Sequence, residues 1–183
     1  MKATSTLRSA VAPLENFSLT MVGLLGFSFG VQGDPVVSNM PQDAELAAVF
    51  RSHRDSFEKL AAMGMEDYGS VSLLSKDLLS QRPLTGGLEE LTPQRRDEYL
   101  RLLTSIKPAL VMGIDFYRIS FSFSRGGIGL SIGPSWMKGI AYLPHGSERV
   151  GTIVRNLDQV PDGDHVYLVP IEATWYTIYV ASD

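Results

Sequence analysis

The sequence contains no cysteine among its 183 residues and only three histidines, His53, His145 and His165. The lack of cysteine excludes disulfide bonds, thiolate zinc sites, iron–sulfur clusters and a cysteine nucleophile. The histidines form neither an i, i+4 pair nor a His-Glu-x-x-His motif, so a zinc site would have to be assembled from distant segments. The glycines of residues 126–133 do not match the spacing of a phosphate-binding loop. We therefore predict neither a metal nor a cofactor.

The sequence also lacks a cluster of basic residues. Its 16 lysines and arginines are outnumbered by 20 aspartates and glutamates, which gives a formal net charge of −4. A protein that binds nucleic acid usually carries a basic patch or stripe that neutralises phosphates. From the charge pattern we therefore predict that nucleic acid is not a partner.

No apolar run is long enough to cross a bilayer, which requires about 20 consecutive residues. Residues 19–31 are an uncharged run with the length of a signal-peptide hydrophobic region. A weakly basic segment precedes the run and the small residue Gly33 follows it, so we predict a signal peptide over residues 1–33. The alternative is that the run forms a buried strand or helix of the folded protein. Cleavage would remove two basic residues and one acidic residue, which changes the formal charge from −4 to −5.

Two segments have the spacing of amphipathic helices. Over about residues 41–65, apolar side chains recur every three or four positions, and Pro41 is favourable in a first helical turn. Over residues 93–107, a second apolar stripe follows Thr92, which is a suitable N-cap. Residues 34–42 have the composition of a linker.

The hydrophobic period changes to two within residues 113–181. Residues 117–124 alternate apolar and polar side chains, which indicates a strand with one buried face. Residues 125–127 match a hairpin turn, and four more strands are predicted after it, the first over residues 128–132. Because helices precede hairpin-connected strands, we predict one α+β domain over residues 34–183. Its N-terminal helices would pack on one face of a roughly five-stranded antiparallel sheet, a meander of hairpins.

Four residues are candidates for a role at a site. His53 falls between two phenylalanines on the apolar stripe of the first helix. We predict that it is buried or half-buried and hydrogen-bonded to the backbone or an acid, rather than catalytic. Trp136, Lys138 and Tyr142 alternate along a predicted strand and share a face, where they could contact a ligand. The alternative is packing, with the lysine extending its ammonium group to solvent, because Ile140 lies on the same face.

Several short runs resemble a group of small uncharacterised bacterial envelope lipoproteins. A Ser-x-x-Lys-Gly-x-Ala-Tyr-Leu-Pro run stands at residues 135–144, and an Ile-Glu-x-x-Trp-Tyr run at residues 171–176. Residues 50–58 resemble the first helix of that group, and the likeness covers about residues 38–180. Lipid attachment in the group requires a cysteine after the signal peptide, which this chain lacks. The resemblance implies an exported envelope protein and brings no established activity.

The sequence favours a function in binding. The leading hypothesis is a non-catalytic bacterial protein, exported to the periplasm or envelope, that binds an unidentified protein or envelope component, because no coherent catalytic motif occurs. A narrower version is a periplasmic immunity-type inhibitor of a toxin, since an acidic protein suits a basic partner. The rival hypothesis is a hydrolase that uses His53 or His145 with a carboxylate.

Overall fold

The structure is a computed structural model. It describes residues 40–81, 84, 87–127, 135–157 and 165–182. All of these residues belong to one compact unit, Asp34–Asp183. The predicted signal peptide at residues 1–33 and the predicted strand at residues 128–132 lie outside the described residues. Within the described part of the chain, no helix is long and apolar enough to cross a membrane.

In the part of the chain that the structure describes, four helices precede the central strands of the sheet. Their bounds are α1 Asp43–Ser52, α2 Arg54–Glu66, α3 Lys76–Ser80 and α4 Pro93–Ile106. The second predicted helix is observed as α4, and the Thr92 hydroxyl caps it by accepting a hydrogen bond from the Arg95 N–H at 3.2 Å. At the start of α1, the Glu45 carboxylate accepts a hydrogen bond from the Gln42 N–H at 3.0 Å.

The first predicted helix, residues 41–65, is observed as two helices that meet at His53. The backbone of His53 has φ −122° and ψ 23°, which lies outside the helical region. Phe50 before this break and Phe57 after it are fully buried, and both rings contact Trp175, at centroid distances of 4.9 and 6.0 Å. We attribute the break to this packing, because the local sequence contains no proline or glycine that would end a helix.

Among the described residues, seven strands form one sheet in the order β1-β2-β3-β4-β7-β6-β5. Their bounds are β1 Leu73–Ser75, β2 Val111–Ile114, β3 Ile119–Gly127, β4 Ser135–Tyr142, β5 Thr152–Ile153, β6 His165–Glu172 and β7 Trp175–Ser182. All neighbouring strands are antiparallel except β5 and β6, which are parallel. The predicted α+β class with a mostly antiparallel sheet is confirmed. The predicted count of five strands is wrong, because β1, β2 and β5 are too short to show alternation.

The strand connections also depart from the predicted meander. β3 pairs with β4 over most of its length, with an irregularity between Ser122 and Ser124. Residues 125–127, which were expected to form a hairpin turn, therefore belong to a strand. β4 pairs on its other side with β7, so the last strand of the chain lies inside the sheet and β5 forms an edge. These pairings join segments distant in the sequence, which local patterns do not specify.

Two buried clusters lie on opposite faces of β4 and β7, since successive residues of a strand point to opposite sides. The helices pack on the first face, where the main core contains Phe57, Phe121, Ile140 and Trp175. The second cluster is smaller. Its buried members are Ala141, Leu143, Leu168, Tyr176 and Ile178. The α2 helix and the ends of β4 and β7 therefore meet around Trp175, next to the surfaces described below.

Candidate functional site

The three predicted binding residues of β4 have different surroundings. Lys138 is 2% exposed, and its Nζ lies 3.1 Å from the Asp43 Oδ1 at the start of α1. Its ammonium group is therefore buried in an ion pair and does not reach solvent. Trp136 is half-buried, and Tyr142 is half-buried against Trp175, with ring centroids 5.1 Å apart. Ligand binding by this trio remains a prediction, and only Tyr142 lines one of the two cavities described below.

The histidines of the hydrolase hypothesis lie in separate places. His53 is half-buried at the junction of α1 and α2. Its imidazole forms no hydrogen bond with the residues that the structure describes, so the predicted hydrogen bond to the backbone or an acid is not found there. His145 is exposed and stacks on Phe116, with ring centroids 5.5 Å apart. Within the described residues, no group of three or more histidine, aspartate or glutamate side chains is placed to hold a metal ion. The hydrolase hypothesis remains a prediction.

Four aromatic side chains form an exposed cluster where three loops meet. We define the aromatic cluster as Tyr68, Phe116, Tyr117 and His145. The Phe116 ring is central, because its centroid lies 5.9 Å from that of Tyr68, 5.0 Å from that of Tyr117 and 5.5 Å from that of His145. Phe116 is 51% exposed, Tyr68 47% and Tyr117 40%. Large aromatic side chains are thus in contact with one another while much of their surface faces solvent.

Hydrogen bonds of Asp115 order the turn between β2 and β3, and this turn carries two of the rings. The Asp115 carboxylate accepts hydrogen bonds from the N–H groups of Tyr117 and Arg118, at 2.8 and 2.9 Å. The same carboxylate pairs with the Arg118 guanidinium at 2.9 Å, and the Asp115 N–H donates to the Arg118 carbonyl at 3.0 Å. An aspartate that bonds the backbone two and three residues ahead fixes a tight turn. The aromatic pair therefore stands on an ordered turn.

A network of hydrogen bonds anchors the chain next to Tyr68. Its neighbour Asp67 ends α2, and the Asp67 Oδ2 accepts hydrogen bonds from the Tyr99 hydroxyl at 2.7 Å and the Arg95 Nε at 2.8 Å. Burial raises the pKa of Tyr99, and the hydrogen bond to Asp67 raises it further. The Asp67 and Glu66 carboxylates raise the pKa of Arg95 despite its partial burial. This network fixes the end of α2 to α4, and thereby the loop that carries Tyr68.

This cluster was not predicted from the sequence. The alternating pattern predicted Tyr117 on the buried face of a strand, whereas β3 begins at Ile119 and Tyr117 lies exposed in the preceding turn. A usable signal was present, because Phe116 and Tyr117 follow Asp115 in a turn where small polar residues are usual. No local sequence pattern indicated that Tyr68 and His145 would join the cluster, since only the fold brings their loops together.

A groove lies between α2 and the turn that joins β6 to β7. It has a volume of about 320 Å³. We define the groove by its lining residues, which are Arg54, Glu58, Ala61, Ala62, Met65, Tyr142, Glu172, Ala173, Thr174 and Trp175. The α2 side contributes small apolar side chains, and the sheet side contributes two aromatic rings.

Three charged side chains line the groove, those of Arg54, Glu58 and Glu172. The Arg54 Nε lies 2.7 Å from the Glu58 Oε1, and the Arg54 Nη2 lies 2.8 Å from the Glu172 Oε1. The hydrogen bond to Glu58 and the charge of Glu172 raise the pKa of Arg54. The next residue of the β6–β7 turn, Ala173, has φ +40°, a left-handed conformation that is unfavourable for alanine. Such strained residues concentrate at functional sites.

A second cavity, of about 370 Å³, lies beside the β3 irregularity. Its lining includes the hydroxyl groups of Ser75, Ser122 and Ser124. The Ser75 hydroxyl already accepts a hydrogen bond from the Leu78 N–H as the cap of α3. The Ser122 hydroxyl is buried and has no hydrogen-bond partner among the described residues, which a single water molecule would satisfy.

Comparisons with protein families, curated proteins and solved structures find no match to this chain. The resemblance of residues 135–144 and 171–176 to envelope lipoproteins therefore remains a prediction. The aromatic cluster and the groove are therefore the features that indicate a function.

Proposed function

We propose that this protein is a non-catalytic, exported protein of the bacterial envelope that binds a protein partner through the aromatic cluster. The observation that carries this proposal is the exposure of Tyr68, Phe116 and Tyr117 on ordered loops. Scattered apolar residues on a surface need no explanation, but a contiguous exposed patch indicates an interaction site.

The chemistry of the cluster suits a protein interface. Aromatic residues are enriched at the centres of interfaces, where they supply large contact area and few rotatable bonds. Tyrosine and histidine add a polar group at the edge of each ring, which serves a surface that is solvated when free and buried when bound. Because the Asp115 turn orders Phe116 and Tyr117 beforehand, a partner would have little loop entropy to remove on binding.

Export is supported by the N-terminal pattern. Residues 1–33 combine a weakly basic segment, an uncharged run and a small residue at the expected cleavage position. Fractionation of the producing cell tests this part. We expect a processed chain that begins at Asp34 and is recovered with the periplasm or envelope. Recovery of an unprocessed chain in the cytosol would contradict export.

Binding is tested by affinity capture from envelope extract, followed by titration of the captured protein in purified form. We expect Phe116→Ala to weaken that binding by about tenfold or more, as truncation of a central aromatic anchor does. The matched control is Ile153→Ala, because Ile153 is 53% exposed on the edge strand β5. Equal affinities for the wild type and Phe116→Ala would contradict the proposed site.

A toxin-inhibiting role is the narrower form of this proposal. The acidic balance of the chain favours a basic partner, because complementary charge speeds association and selects among partners. Protection of a susceptible cell by expression of this protein, lost in Phe116→Ala, would support it. If the captured partner is a toxin and the protein does not protect the cell against it, the toxin-inhibiting role is contradicted. Only the general binding function then remains.

A further inference from the structure

The charged side chains of the groove carry a net negative charge. Arg54 contacts the Oε1 atoms of Glu58 and Glu172, so one positive group faces two negative groups. A carboxylate can accept from more than one donor, so each of the two can bind a second cationic group beside Arg54. The two carboxylates come from separate elements, α2 and the end of β6, and Arg54 pairs with both.

The walls of the groove suit a long aliphatic chain. Ala61 and Ala62 on α2 have small side chains that leave room above the helix, and Met65 extends the apolar wall. On the opposite side, Tyr142 and Trp175 contribute aromatic rings. Lysine and arginine place their methylene stems along such apolar surface, and their charged groups are attracted to aromatic faces.

We propose that this groove is the subsite for one arginine or lysine side chain of the protein partner. The proposal rests on the partner-binding function and names the chemistry that the partner must present. An anion is disfavoured because Glu58 and Glu172 would repel it. An apolar side chain is disfavoured because it would desolvate charged groups without pairing them.

Two segments of the chain connect the groove to the aromatic cluster. Met65 lines the groove, and Tyr68 of the aromatic cluster follows it by three residues at the end of α2. Tyr142 lines the groove, and His145 of the aromatic cluster follows it by three residues after β4. A partner segment that covers the aromatic cluster can therefore place a neighbouring basic side chain in the groove.

A defined probe tests the groove without knowledge of the partner. The isotopically labelled full chain is titrated with N-acetyl-arginine amide and followed by amide chemical shifts in NMR spectra. We expect saturable shifts at Ala61, Ala62, Ala173 and Thr174. N-acetyl-citrulline amide, which has nearly the same shape and no charge, should bind about tenfold more weakly because it lacks the charge-assisted pairing. Equal responses to the two probes would overturn the proposal.

Two variants localise the effect. Ala62→Leu fills the groove from an exposed helical position and leaves the charged residues in place, so it should abolish the shifts. Its matched control is Ala48→Leu, at an exposed position of α1 outside the groove. Glu172→Gln should weaken arginine binding, whereas Glu90→Gln, the same change at an exposed residue outside the groove, should not. Shifts that persist in Ala62→Leu would overturn the proposal.

The captured partner separates this proposal from the one on which it depends. Weakened partner binding in both Phe116→Ala and Ala62→Leu would support both proposals. Weakened binding in Phe116→Ala with full affinity in Ala62→Leu would overturn the groove and keep the partner-binding function. Binding that neither variant weakens would overturn both.

Discussion

The Lys138 Nζ lies 3.1 Å from the Asp43 Oδ1, and this pair joins the middle strand of the sheet to the start of the first helix. The Asp43 Oδ2 also accepts a hydrogen bond from the Leu157 N–H at 2.7 Å, 114 positions further along the chain. One carboxylate thus connects α1, β4 and the segment that follows β5. Because the lysine is 2% exposed, its charge requires compensation within the protein, and this carboxylate contributes to it.

Replacement of the carboxylate should destabilise the fold. We expect Asp43→Asn to lower the free energy of unfolding by about 3 kcal/mol, because it removes the carboxylate charge that pairs with the buried Lys138 ammonium group. Urea unfolding followed by circular dichroism measures the change. Asp97→Asn, at an exposed position of α4, should change stability by less than about 0.5 kcal/mol. Adding Lys138→Met to Asp43→Asn should recover part of the loss, and a further loss in that double variant would contradict this account.

Tyr99 should make stability fall at alkaline pH. Burial and the hydrogen bond to Asp67 raise its pKa in the folded state above the ordinary value of 10.0, so the folded protein holds the hydroxyl proton that the unfolded chain releases. The stability due to neutral Tyr99 is therefore complete below pH 10 and is lost as the pH rises above it. The loss should approach about 1.4 kcal/mol per pH unit.

The variant Tyr99→Phe removes this titration. Urea unfolding at pH 8, 10 and 11 should show a shallower alkaline decline in Tyr99→Phe than in the wild type. Tyr68→Phe, which changes an exposed tyrosine, is the control and should retain the wild-type slope. Parallel declines in the wild type and Tyr99→Phe would show that Tyr99 does not contribute.

Gly139 on β4 should not tolerate a side chain. A Cβ atom at this position would lie 2.0 Å from the Phe121 carbonyl oxygen, and backbone on the paired strand cannot move aside easily. We expect Gly139→Ala to cost about 3 kcal/mol or more in unfolding free energy. Gly113→Ala on β2 is the control, because its Cβ would meet only the Ser120 hydroxyl, at 2.9 Å, which can rotate away. Similar melting temperatures for the two variants would refute the predicted difference.

The Asp115 carboxylate should control the order of the turn that carries the aromatic pair. Asp115→Ala removes the acceptor for the N–H groups of Tyr117 and Arg118, so both amides should exchange with solvent faster. Because the turn is exposed, the stability loss should be only about 1 kcal/mol. Hydrogen exchange measured by NMR checks this, with Asp77→Ala as a control outside the turn. Unchanged exchange at Tyr117 and Arg118 would mean that other contacts order the turn.

The placement of the predicted candidate residues was visible in the sequence, although only Tyr142 among them lines the groove. The spacing placed His53 at the boundary of the core and put Trp136, Lys138 and Tyr142 on one strand face, which agrees with their positions. The burial of Lys138 was not predictable, because it depends on Asp43, which the chain brings over β4 from a distant segment. The aromatic cluster escaped prediction for the same reason, since three loops contribute its rings.

The sequence by itself determined the α+β class, the position of α4 and its Thr92 cap, because these depend on the period of apolar residues and on contacts within one helical turn. It also determined the lack of cysteine chemistry and the acidic balance of the chain. Only the tertiary structure decided the insertion of β7 beside β4, the break at His53, the buried pair of Lys138 and Asp43, and the meeting of the aromatic rings. Each of these depends on contacts between residues far apart in the chain, and a local pattern carries no information about which distant segment will complete them.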